Sequence, residues 1–241
     1  MRNQIEFKVY GKYALFTDPV TRIGGEKFTY QIPTYQALKG IVESIYWKPT
    51  ILWVIDEIRV MKAIQTEVKG TRPIKYQDSS NDLAYYTYLR KPEYQVRAHF
   101  IPNPNRPDLL SDFNEHKHHN IAKRAVERGG RRDIYLGTRE CQGYVEACEF
   151  GSGHSFYNRY DEISFGPMFH GFTYPDENAS GELQARIWTP TMENGIIKFK
   201  KPEECEIIRT IKKGTVKTFK EGLNFKNVED EYEMIFKEHS C

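Results

Sequence analysis

Apolar and polar positions alternate almost from the first residue. In Gln4-Ile5-Glu6-Phe7-Lys8-Val9-Tyr10-Gly11, the side chains Ile5, Phe7 and Val9 fall on one side of an extended chain, which predicts a strand. The period turns helical between Thr34 and Trp47, where Ala37, Leu38, Ile41 and Ile45 recur at three- and four-residue spacing. Pro33 precedes this run and Lys48-Pro49 stops it, so Tyr46 is expected in the last turn of a first helix. Ile51 to Glu67, Leu83 to Leu89 and Tyr94 to Ile101 again read as strands. The stretch from Lys69 to Asp82 between them is polar, with Gly70, Pro73 and Asp78-Ser79-Ser80-Asn81. Two arms and a polar tip predict a long hairpin that protrudes beyond the sheet.

A loop with Pro102, Pro104 and Pro107 leads to a second predicted helix. Asp112, with Glu115 three residues on, has the spacing of a capping box. Ile121, Ala122, Ala125 and Val126 would supply the buried side, and Gly129-Gly130 the end. Gly143 to Phe150 alternates as a strand. The resulting order, βαββαβ, predicts an α+β fold of the ferredoxin-like (RRM-like) kind with a protruding β-hairpin. The turn-prone run Pro175 to Gly181 is the best boundary. It divides the chain into an RRM-like domain, 1–175, with a basic second helix, and a small antiparallel β domain, 183–241. The expected strands of the latter are Leu183 to Trp188, Ile196 to Phe199, Glu206 to Ile211 and Glu231 to Phe236.

The 39% of hydrophobic residues among 241 is enough for a packed core, which argues against disorder. With 35 basic and 33 acidic residues, the net charge of +2 does not announce nucleic acid. The local distribution does. From His116 to Arg132 there are six Lys or Arg against one acid, Glu127, a charge of +5 that leaves the rest of the chain at −3. Phosphate binding by His119, Lys123, Arg124, Arg128, Arg131 and Arg132 is the economical explanation. A solvated helix face is the plain alternative, but solubility does not explain three histidines beside Lys117. The hairpin tip carries Lys69, Arg72 and Lys75 beside Tyr76, which suits either RNA-backbone binding or an ordinary exposed loop. The strand at 83–89 lacks the base-stacking motif of an RRM, so RNA is not expected to be read across the sheet in the usual way. The four cysteines, Cys141, Cys148, Cys205 and Cys241, form no C-x-x-C pair. No signal peptide and no membrane-spanning apolar run is visible, so a cytoplasmic protein with reduced thiols and no membrane partner is expected.

Lys117 and His118 carry the candidate chemistry. Histidine titrates near pH ~6.5, close enough to neutrality to take or give a proton during phosphodiester cleavage. Lys117 would hold a positive charge against the phosphate as it gains negative charge. In RNA the 2′-hydroxyl is a nucleophile already in place, so a base, an acid and a cation suffice, with no metal and no cofactor. His116 and His119 are three apart and share a helix face that could hold a metal. Against that, there is no H-E-x-x-H and no acidic cluster. Tyr46, at the end of the first helix, could approach the second helix and orient the 2′-hydroxyl, with Lys117 lowering its pKa. It could equally be a packed aromatic beside Trp47.

Three segments carry a resemblance: Tyr46-Trp47-Lys48-Pro49-Thr50, Lys117-His118-His119-Asn120 leading to Glu127-Arg128-Gly129-Gly130-Arg131-Arg132, and Phe165-Gly166-Pro167-Met168. In them the chain resembles the CRISPR-associated Cas five family, in its type I-C form, within the RAMP superfamily. The resemblance covers nearly the whole chain, and the middle segment is its most specific part. It implies a metal-independent endoribonuclease that cleaves the hairpin repeats of precursor CRISPR RNA and leaves a 2′,3′-cyclic phosphate. Its catalytic residues, matched by motif, are Tyr46, Lys117 and His118, with His116 and His119 flanking the matched pair. It implies that the protein stays on the 5′ handle of mature crRNA beside the other subunits of an interference complex. Duplex DNA is a secondary expected partner. The rival expectation is a non-catalytic RNA-binding scaffold subunit.

Overall fold

The computed structural model describes residues 3–19, 21–76, 80–175, 177–178 and 180–213. The expected strand Glu231 to Phe236 and Cys241 lie outside them, and the described cysteines Cys141, Cys148 and Cys205 are free thiols. The described residues are α+β, with mostly antiparallel sheets and two α-helices, α1 (Tyr35–Ile45) and α2 (Glu115–Glu127). Four long strands form the middle of an eight-stranded sheet. They run in the spatial order Gln142–Ala147, Gln4–Gly11, Glu93–Pro102, Ile51–Val60, each antiparallel to its neighbour. α1 connects the first of these in sequence to the second, and α2 the third to the fourth.

Register explains the core. Phe7 lies opposite Val96 and Ala147, and Val9 opposite Tyr94 and Val145, so apolar rows line up across strands. Leu38, Ile41, Val42 and Ile45 of α1 and Ala122, Ala125 and Val126 of α2 join that cluster. On the other face charged side chains meet. Arg97 bridges Glu6 and Glu57, Lys8 pairs with Glu146 at 2.8 Å, and Asp56 faces His99 at 2.8 Å.

The expected strand 51–67 is split. Ile51–Val60 stays in the main sheet, while Thr66–Thr71 pairs with Ala84–Arg90 to form the hairpin. Together with Tyr13–Ala14 and Lys27–Phe28 this hairpin makes a separate four-stranded sheet. The third strand of the main layer is therefore Glu93–Pro102, and 84–90 belongs to the insertion.

The carboxy-terminal part also differs from its expected layout. Met168–Thr173, Glu182–Trp188 and Ile207–Lys213 form a three-stranded sheet. The expected boundary at 175–183 is thus a connection between two paired strands. Ile196–Lys198 does not join that sheet. It pairs with Ile51–Val60 and with Thr191–Glu193 at the edge of the main sheet. The reason is local: Asn194 and Gly195 both have positive φ, the two-residue hairpin turn that Asn-Gly favours.

Candidate nucleic-acid interface and catalytic site

α2 begins two residues later than the capping-box spacing suggests. Its N-cap is Asn114, whose side-chain oxygen accepts from the Lys117 N–H at 3.0 Å. Asp112 instead closes a 3₁₀ turn, Pro107–Asp112, and holds other groups: Lys117 Nζ at 2.5 Å and the Thr50 hydroxyl at 3.0 Å. From that start, His118, Ala122, Ala125 and Val126 are the buried positions of the helix, at spacings of four, three and one. Lys117, about 100° round the helix, is exposed.

Tyr46 is not in the last turn of α1 but just beyond it, as the C-cap, with extended backbone at φ −155° and ψ 123°. Its carbonyl accepts from Trp53 Nε1 at 2.7 Å, which fixes the turn. Its hydroxyl then reaches His118 Nδ1 at 2.8 Å. The imidazole sits among the rings of Tyr46, Phe100 and Phe113, each centred 6.0 Å away. Tyr46 is 1% exposed and His118 0%. Two residues 72 apart in sequence are thus joined by one buried hydrogen bond, with Lys117 on the adjoining position of α2.

Burial pushes the His118 pKa below its ordinary value, and the positive charges of Lys117 and Lys48 push the same way; the backbone carbonyl and carboxylate of Asp112 oppose them. His118 Nε2 makes no hydrogen bond of ordinary geometry. Burial raises the Tyr46 pKa, with Asp112 adding to the rise and Arg131 opposing it. The expectation that Lys117 lowers the Tyr46 pKa is therefore corrected: the opposing cation is Arg131, whose guanidinium lies 5.9 Å from the Tyr46 ring centre. The pair is neutral at pH 7, a tyrosine hydroxyl against an uncharged imidazole.

The basic surface surrounds this pair on one side. Gly129 (φ +81°) and Gly130 (φ +105°) reverse the chain after α2, their N–H groups donating to Val126 and Ala125 carbonyls. The reversal carries Arg132 back to α1, where its N–H donates to the Ser44 carbonyl at 3.1 Å. Three clefts meet at Arg131. One, of about 300 Å³, lies between Trp47, Lys48, Arg131 and Arg132. A second, of about 300 Å³, is lined by Arg124, Arg128 and Arg131, and a third, of about 310 Å³, by Arg131, Arg132 and Tyr144. Among the described residues, none of Lys48, Lys123, Arg124, Arg128, Arg131 and Arg132 forms an ion pair with a carboxylate, whereas Lys117 does.

The remaining expected contacts fall elsewhere. Lys69, Arg72 and Lys75 stand on the hairpin and line none of these clefts. Lys69 is turned onto the Tyr13 ring at 3.3 Å and lies 3.8 Å from Glu67, while Arg72 and Lys75 are exposed. His119 is half-buried, with its Nδ1 unpartnered. Among the described residues no group of three or more His, Cys, Asp or Glu could hold a metal ion, and no helix is long and apolar enough to cross a membrane. Sequence reasoning took Trp47 and Lys48 as part of a family landmark and a helix end but gave them no binding role. Their signal was an aromatic and a cation directly after Tyr46.

Fold and site together define an α+β protein whose main cationic surface is a set of linked clefts beside a buried Tyr–His pair. The family model for the CRISPR-associated protein (Cas_Cas5), in its Cas5d form, matches residues 4–200, so the chain belongs to that family. A "CRISPR pre-crRNA endoribonuclease Cas5d" of Thermus thermophilus is 25% identical over 190 residues, 75% of this chain and 78% of its own. A protein of the same name from Mannheimia succiniciproducens is 43% identical over 67 residues, covering 28% of this chain and 29% of its own. Among solved structures, a CRISPR-associated protein is similar with TM-score 0.72 and 37% identity, over 86% of this chain and 96% of the other. A functionally uncharacterized protein from Streptococcus mutans matches with TM-score 0.72 and 42% identity, over 86% and 97%.

Proposed function

We propose that the chain is an endoribonuclease that cleaves precursor CRISPR RNA at its repeats, without a metal ion, on a ferredoxin-like core. The 2.8 Å hydrogen bond between Tyr46 and His118, beside Lys117, carries the proposal. It joins the residue types that RNA cleavage requires at the edge of unpaired cations, and two relatives bear the name of such an enzyme.

In the proposed step the 2′-oxygen attacks the adjacent phosphorus and the P–O5′ bond breaks. The products are a 2′,3′-cyclic phosphate and a 5′-hydroxyl. The 2′-hydroxyl proton goes to a base, and O5′ takes one from an acid. A neutral imidazole accepts a proton, and a tyrosine held protonated by burial donates or orients one. Lys117 meets the negative charge that grows on the phosphate oxygens. Because Tyr46 and His118 are covered, RNA must first shift a neighbour. Arg131 is suited to this, since a phosphate would draw its guanidinium off the Tyr46 ring. Unpaired arginines beyond the site fit retention of the 5′ handle, with other subunits of a type I-C complex as partners and duplex DNA as a secondary ligand of the same surface.

The burial of His118 and Tyr46 favours a second reading, a non-catalytic RNA-binding subunit in which the pair is only a core hydrogen bond. Cleavage of the cognate repeat RNA by purified protein in excess chelator decides, beside the same RNA with one 2′-deoxy sugar 5′ of the cut. Cutting of the normal RNA alone supports the proposed chemistry. Binding without cutting under any condition supports the scaffold, and cutting restored only by added metal removes the metal-free mechanism.

A further inference from the structure

The cleft between α1 and the 131–132 segment has more than phosphate chemistry. Trp47 is 48% exposed, while the chain's other tryptophans, Trp53 and Trp188, are 0% and 4% exposed. Its ring packs against no other ring and carries no cation among the described residues, although it lines a cleft of about 300 Å³. Lys48, Arg131 and Arg132 surround the same space. On its wall is one acid, Glu43, half-buried and free of any hydrogen bond or ion pair among the described residues. Burial raises the pKa of this carboxyl, with Lys39 opposing the rise and Glu177 adding to it, and a half-buried carboxyl without a hydrogen-bond partner is poorly placed for phosphate and well placed for a ligand with its own N–H donors.

We infer that this cleft is a single-nucleotide subsite that takes an unpaired guanine, stacked on Trp47, with its N1–H and N2–H₂ donated to the Glu43 carboxylate and its phosphates on Lys48, Arg131 and Arg132. The inference deepens the proposed RNA-cleaving role and rests on it. The geometry connects the two, because Arg131 lines the cleft and also lies over the Tyr46 ring. A base stacked on an aromatic face is held whatever its identity, so stacking alone gives affinity without choice. The carboxylate supplies the choice. Guanine offers it two parallel donors. Cytosine and adenine each offer one donor beside an acceptor, and uracil one between two acceptors.

Quenching of Trp47 fluorescence tests this, since the other two tryptophans are buried. The probes are RNA pentamers of uridine with G, A, C or U at the centre, titrated into the full chain. The G pentamer should quench at concentrations about 10-fold below the U pentamer, the discrimination a bidentate pair supplies. Glu43→Gln should bring the four pentamers within about 2-fold of one another, while Trp47→Phe keeps the G preference in a competition assay and Trp47→Ala weakens all four about 10-fold. Thermal unfolding of each variant checks that it is folded. Equal quenching by all four pentamers, or no quenching, overturns the subsite. A cleavage assay on the parent protein separates this from the cleavage reading: quenching with G preference but no cutting of repeat RNA refutes the cleavage and leaves the subsite standing. Cutting without quenching does the reverse.

Discussion

At the scale of single residues, the Tyr46–His118 pair has two separable consequences. Tyr46→Phe keeps the ring and removes the hydroxyl, so His118 Nδ1 is left buried without a partner. An orphaned buried polar group costs about 1–3 kcal/mol, which urea unfolding reads as a lower midpoint at unchanged slope. An unaltered midpoint would mean that the hydrogen bond does not hold the core. Lys117 is different. Its ion pair with Asp112 is exposed on both sides, and such pairs add little to stability. Lys117→Ala should therefore leave the unfolding midpoint in place while slowing repeat cleavage about 100-fold. A single-turnover assay beside a melt measures both, and a variant that cuts at the parental rate would remove Lys117 from the chemistry. These residue types were legible in the sequence, but their environments were not. Nothing in Lys117-His118 says that one faces water and the other the core until Ala122 and Ala125 are recognised as continuing the His118 face.

At the scale of elements, α2 and the segment after it act as one device. The charge was readable because six cations within His116 to Arg132 stand out in a chain of net charge +2. The cap was misplaced because Asp112 has the right chemistry for an N-cap, yet Lys117 and Thr50 hold it while Asn114 caps. The Gly129-Gly130 reversal was legible as a helix end, but its effect was not. It brings Arg131 and Arg132 back to α1, a contact about 90 residues away in sequence for Ser44 and Arg132. If these arginines meet phosphates, each contact releases counterions. Replacing Arg131 by Ala should lower the slope of log affinity against log salt by about 0.7 for single-stranded RNA. Binding titrations at several salt concentrations read this, and a slope equal to the parent's would show that Arg131 makes no phosphate contact. Arg72→Ala, on the hairpin, is the informative comparison, because the hairpin lines none of the three clefts. A slope change there would extend the RNA path to the second sheet.

Over the whole molecule, the main strands were legible through period-two alternation, whereas the edge strands were not. Two- and three-residue strands such as Thr191–Glu193 have no period to detect, although Asn194-Gly195 was an available turn signal. One long-range junction was missed entirely. His170, 0% exposed, stacks on Tyr35 of α1 at 4.3 Å between ring centres, donates from Nε2 to the Lys200 carbonyl at 2.9 Å, and accepts from Arg186 Nε at 3.4 Å. It thus ties the three-stranded sheet to α1 and to the segment that follows the main sheet's edge. Burial drives its pKa down from 6.5 to about 4, and the Arg186 charge pushes the same way. The folded pKa lies below the unfolded one, so the contribution to stability is complete above pH ~6.5 and lost as pH falls toward about 4, where the unfolded chain binds the proton first. The lowered pKa of His118 acts in the same direction. At about 1.4 kcal/mol per unit, His170 accounts for a loss of roughly 3 kcal/mol across that window. Urea midpoints at pH 7 and pH 4.5 measure it. Carboxylates titrate alike in the parent and in His170→Phe, so the difference between their two pH shifts isolates the histidine. The parent should lose more stability on acidification than the variant, even though the variant starts lower for want of two hydrogen bonds. Equal shifts would mean that His170 takes up a proton without opening the junction, and that the three-stranded sheet is held to α1 by other contacts.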